Sequence, residues 1–120
     1  MPEFPEGRVF SIGDKEFTFA LATTAMELIT GLAGVTSLEL FDGMLFDFGI
    51  SYPVIMTPKG LQFPVEVAFI NDEGVIQEVK ILDPVDGFTQ AASNKVRFAL
   101  EVPVGFFEEN NINVGDTLGF

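Results

Sequence analysis

Apolar residues recur at every second position through most of this chain. Gly, Pro, Asn and Asp interrupt them about every 8–12 positions, the spacing of an antiparallel β domain. Arg8–Ile12 and Glu16–Leu21 read as strands joined at Gly13-Asp14, where Gly supplies the positive φ that a type II′ hairpin needs first. Phe17, Phe19 and Leu21 alternate with Thr18 and Ala20, as on a half-buried strand. Gly43–Phe48 sets Met44, Phe46 and Phe48 on one side, and Tyr52–Thr57 is a short apolar run closed by Pro58. Val65–Ile70 and Val75–Leu82 flank the turn Asn71-Asp72-Glu73-Gly74 as a hairpin, and Phe88–Ala92 is a further short strand. Val96–Val102 alternates most clearly: Val96, Phe98, Leu100 and Val102 are assigned to the core, Arg97 and Glu101 to solvent. A last strand, Thr117–Phe120, follows Gly115-Asp116.

One segment breaks this period. Thr24 and Glu27 have the spacing of a capping box, in which each side chain reaches the other residue's backbone amide. Ala25, Leu28, Ile29 and Leu32 then fall at i, i+3, i+4 and i+7, one stripe of a helix near residues 24–33, with Gly31 and Gly34 as left-handed stops. Phe106–Asn110 suggests one or two further turns, a short helix near 104–110. The fold class is therefore mainly β (α+β): an antiparallel or mixed barrel of about eight short strands with one capped helix. Residues 1–120 make one domain, with 1–7 as an extended N-terminal arm.

Composition narrows the chemistry. Six basic residues against 18 acidic ones give a net charge of −12, which speaks against nucleic acid and against an anionic membrane surface as partners. There is no Cys and no His, so thiolate nucleophiles, thiolate metal sites and the commonest general base are excluded. No cofactor is implied. The 14 Phe residues suit a barrel filling. The first residues lack the basic start and apolar run of an export signal, so a cytoplasmic location is the expectation.

Several short motifs occur in a fixed order: Glu27-Leu28-Ile29-Thr30-Gly31-Leu32, Ser37-Leu38, Gly43-Met44-Leu45-Phe46, Pro64 to Asn71, Gly74-Val75-Ile76, Ala99-Leu100-Glu101-Val102-Pro103-Val104-Gly105, and Asn111 to Asp116. Together they resemble domain-of-unknown-function family 192, over nearly the whole chain. The resemblance implies a compact β-barrel-like fold with a short helix lying on it and no settled activity; many relatives carry an export signal. The family's W-M-K-N-T motif is altered here to Ile55-Met56-Thr57-Pro58-Lys59, and its P-L-D-I aspartate is Glu66.

Glu66 is the sharpest single candidate, a carboxylate between Val65 and Val67 that burial would turn into an acid or base. Thr57, Lys59 and Glu66 are grouped as a ligand-binding set near Thr57–Phe63. Asp47 with Glu66 would make a carboxylate pair of the glycosidase kind. Asp72, Glu73, Asp83 and Asp86 lack the spacing of a calcium loop and read as turn residues. Of Phe106 and Phe107, one is expected over a pocket or at an oligomer contact. The leading reading is a non-catalytic binding or accessory module for an unknown small molecule or protein. The alternatives are a carboxylate hydrolase using Glu66 with Asp47, and a structural homo-oligomeric subunit.

Overall fold

A computed structural model describes residues 5–38 and 40–119. The chain enters the sheet at Glu6, whose carbonyl accepts from the Leu21 amide at 3.0 Å; residues 1–4 of the expected arm lie outside the described residues. β1 (Gly7–Ile12) and β2 (Lys15–Ala22) form the hairpin, with Gly13 at φ +65. α1 (Ala25–Thr30) follows, then β3 (Gly43–Tyr52), the two-residue β4 (Ile55–Met56), β5 (Val65–Ile70) and β6 (Ile76–Leu82). The chain closes with β7 (Gln90–Ala91), β8 (Val96–Pro103), the single-turn α2 (Phe106–Glu109) and β9 (Leu118–Gly119). Phe120, expected in the last strand, lies outside the described residues.

Seven strands form one curled sheet in the order β6-β5-β8-β3-β2-β1-β9, and β4 and β7 form a separate pair. All neighbours are antiparallel except β2 and β3, which run parallel because α1 sits in the crossover between them. The two sheet edges meet at one end. Val75 bridges Thr117, the Ile76 amide donates to the Asp116 carbonyl at 2.9 Å, and the Leu118 amide to the Gly74 carbonyl at 2.7 Å. The sheet is thus a half-barrel stitched at one end, which shields part of both edges.

The central strands are buried on both faces, and this explains their nearly continuous apolar runs. On the α1 face, Ala20, Met44, Phe46, Val67, Phe69 and Ala99 pack with Leu32, Val54 and Met56. On the α2 face, Phe10, Phe17, Phe19, Leu45, Ile70 and Phe98 pack with Phe107, Ile112 and Leu118. Phe106 is half-buried, with its ring centroid 5.1 Å from that of Phe17, so both residues of the Phe pair are packed into the α2 face. None of the helices is long and apolar enough to cross a membrane among the described residues.

The capping box forms as the spacing requires. Thr24 Oγ1 accepts from the Glu27 amide at 3.1 Å, and Glu27 Oε1 accepts from the Thr24 amide at 3.1 Å. The expected apolar stripe is a different matter. α1 is six residues long, less than two turns, so Leu32 lies beyond it and no residue within it is buried. Leu32 is buried in the turn that follows, Leu28 is half-buried, and Ile29 is 82% exposed. The helix stops at Gly31, whose φ of +48 disfavours any side chain and where an added Cβ would lie 3.0 Å from the Phe46 ring. Gly43 has a similar constraint at the start of β3: a Cβ there would run into the Glu101 carbonyl oxygen and Val102 Cγ1.

Candidate functional site

On the α1 face the helix does not close onto the sheet. A cavity of about 290 Å³ lies between them. One wall is Leu28, Ile29 and the turn Gly31-Leu32-Ala33; the other is Ile55, Met56, Thr57, Lys59 and Leu61. Phe46 and Glu101 contribute from the sheet. The two walls are joined where the Gly34 amide donates to the Gly60 carbonyl at 2.9 Å, and the second wall is shaped by the Lys59 amide donating to Thr57 Oγ1 at 3.2 Å. Ile29 and Ile55 stand exposed at the mouth, 82% and 66% respectively, an apolar rim open to solvent.

Glu101 is the unusual residue. It lies on β8 between Met44 of β3 and Val67 of β5 in register, and is 3% exposed. The alternation of β8 assigned it to solvent. The structure corrects this: β8 is the sheet's middle strand, and the cavity walls cover the face that Ala99 and Glu101 share. No hydrogen bond or ion pair reaches its carboxyl among the described residues, and the side chain lines the cavity. Burial alone pushes its pKa up from 4.5 to about 8, because a desolvated carboxylate has no donor or cation to hold its charge. At neutral pH this group carries its proton.

Thr57 and Lys59 from the sequence reading belong to the same cavity as Glu101. Lys59 is exposed and makes no ion pair within 4 Å among the described residues. Glu66 is not brought to them. It shares the opposite face with Ala68 and Ile70, and its Oε1 accepts from the Gly105 amide at 2.6 Å, fixing the turn that leads into α2. Asp47 takes a partner of its own, receiving Arg97 Nε at 3.0 Å and Nη2 at 3.2 Å, and also accepts from the Gly49 amide at 2.8 Å. Each of these two carboxyls therefore has its own donors. Of the acids read as turn residues, Asp83 accepts from the Val85 amide and Asp86 from the Phe88 amide, both at 2.9 Å, while Asp72 lies 3.8 Å from Arg97 Nη1. Ser93 bonds Glu78 through both its hydroxyl and its amide. Among the described residues no three acidic side chains gather as a metal-ligand cluster.

Two signals in the sequence could have found Glu101. Met44-Leu45-Phe46 and Val67-Ala68-Phe69-Ile70 are unbroken apolar runs, the mark of strands covered on both faces, and a strand paired between two such neighbours has no solvent face. The motif containing Glu101 was also one of those carrying the family resemblance.

Residues 8–120 match the family model DUF192, described as "Uncharacterized ACR". No curated protein matches the chain. A crystal structure from Sinorhizobium meliloti 1021, of a protein described as a "putative transcription regulator", is similar with a TM-score of 0.87 and 26% identity, covering 98% of this chain and 95% of that one. A crystal structure of a protein of unknown function from Novosphingobium aromaticivorans DSM 12444 shares the fold with a TM-score of 0.86 at 20% identity, covering 97% of this chain and 86% of that one.

Proposed function

The chain belongs to the DUF192 family, and within it we propose that this protein is a small-molecule binding module whose site is the cavity between α1 and the Thr57–Leu61 loop. The observation that carries the reading is Glu101: a residue 3% exposed whose carboxyl lines the sheet side of a mostly apolar cavity with no hydrogen bond or ion pair from the described residues. A carboxyl that opens on a cavity and takes no donor from the described residues is placed to accept one from a bound molecule. A few polar groups converging in an apolar pocket is the general form of a ligand site. At about 290 Å³ the cavity is at the small end of that range, so the ligand is small and largely apolar with one polar end. The regulatory description of the Sinorhizobium protein fits a role in which a bound molecule is sensed. Direct contact with DNA finds no support in a chain with a net charge of −12.

Titration with benzyl alcohol, followed by amide chemical shifts, tests the reading. Shifts are expected at Leu28–Ala33, Ile55–Leu61 and around Glu101, and should vanish in Thr57→Trp, where an indole at the exposed wall fills the mouth without entering the core. Scattered shifts, or shifts that persist in Thr57→Trp, would overturn it.

A further inference from the structure

Building on that reading of the cavity, we infer that the polar end of the ligand is an organic ammonium group held by Glu101. The surroundings of Glu101 support this. The Glu101 carboxyl has two oxygens that open on the cavity and no donor from the described residues, so a ligand in the cavity is placed to supply the donors; an ammonium brings three in the smallest volume. Among the described residues the cavity walls hold one other titratable group, Lys59, at the exposed mouth, and Thr57 and Thr30 are the other polar side chains in the lining. Glu27, the acid on α1, is turned to the backbone amides of Thr23 and Thr24 and does not line the cavity. The neighbours of Glu101 in register, Met44 and Val67, carry no charge. Finally, the acidic surface favours cations over anions around the mouth.

The proton balance follows from burial. In the free protein the Glu101 carboxyl holds its proton at neutral pH. When an ammonium docks, that proton leaves to solvent, the carboxylate accepts N–H donors, and no other bond is broken. With the free group titrating at about 8, close to one proton is released per ligand at pH 7. Affinity should rise about tenfold per pH unit below that value, level off above it, and fall again once the ligand's ammonium loses its own proton.

Calorimetry with benzylamine and benzyl alcohol tests this, run in buffers of different ionisation heat. Benzylamine is expected to bind at least about tenfold more tightly than benzyl alcohol near pH 8, with proton release at pH 7. In Glu101→Gln, benzylamine should lose that advantage and its pH dependence while benzyl alcohol still binds. Glu101→Asp, which keeps the charge on a shorter arm, should keep the pH dependence at weaker affinity. If benzyl alcohol binds and benzylamine is no better, the ammonium inference falls and the binding reading stands. If benzylamine binds Glu101→Gln as well as the parent, Glu101 is not the anchor and the inference falls. If neither compound binds, both fall.

Discussion

Glu66 and Glu101 sit on adjacent strands, offset by one position in register and on opposite faces of the sheet: Glu66 pairs with Val102, and Val67 with Glu101. Their surroundings differ completely. On the α2 face the turn before Phe106 brings the Gly105 amide to 2.6 Å from Glu66, and the Phe106 ring packs against Phe17, Phe19 and Phe107. On the α1 face a helix with no buried residue leaves a cavity, and Glu101 has no partner among the described residues. The same side chain is thus a structural fastener on one face and, on the other, a cavity-lining carboxyl with no donor from the described residues. What separates them is whether the covering element brings a backbone donor within reach.

The largest expected effect is on the pH dependence of stability. Glu101 has a folded-state pKa raised from 4.5 to about 8, so the folded protein binds more protons than the unfolded one between those values. Stability is therefore full below the lower value, falls as pH rises through the window by up to about 1.4 kcal/mol per unit, and levels off above about 8. Glu101→Gln should remove this fall, so that denaturant midpoints of parent and variant diverge steadily from acid to mild alkali. Parallel curves would mean that Glu101 finds a partner in solution, and the contrast with Glu66 would dissolve.

The second effect compares the two coverings. Phe19→Ala on the closed face should cost about 3–5 kcal/mol, since the ring is fully buried and stacked on Phe10 and Phe17. Leu28→Ala on α1 should cost less than about 2 kcal/mol, below the range for fully buried leucines, because Leu28 is only half-buried beside the cavity. Equal losses in urea unfolding would show that α1 is packed as tightly as the opposite face. Glu66→Ala falls between them at about 1–3 kcal/mol, the range for a lost hydrogen bond to a charged acceptor.

These two faces were unequally legible in the sequence. Alternation located Val65–Ile70 and most of β8, and the Thr24/Glu27 spacing located the start of α1, because those signals are local. The family motifs prove to hold structural residues in several places: Glu27 caps α1, Gly31 ends it, Gly43 admits the close approach of β8, and Asp116 accepts from the Asn113 amide. The sidedness of β8 was not local. Arg97 and Glu101 share a parity along the strand, yet Arg97 reaches Asp47 and Asp72 near the surface while Glu101 lies beneath the cavity. Only the strand order and the placement of α1 distinguish them, and neither is written in a period of two. Thr57 and Lys59 were legible as a departure from the family pattern, and that altered stretch supplies one wall of the cavity. A family residue at the sheet side of the cavity and a changed wall opposite it are what a shared anchor with a varied ligand body would require.

The smallest expected effect tests that division between anchor and wall. Lys59 is exposed at the mouth and free of ion pairs among the described residues, so its charge acts on an incoming cation through solvent. Lys59→Glu reverses that charge without touching the apolar walls. Benzylamine should then bind a few-fold more tightly at low salt, with the gain lost at high salt because screening removes interactions between exposed charges. Benzyl alcohol should bind unchanged, and the proton released on amine binding should stay the same, since Glu101 alone supplies it. A salt-independent gain would place Lys59 in direct contact with the ligand, making the wall part of the anchor.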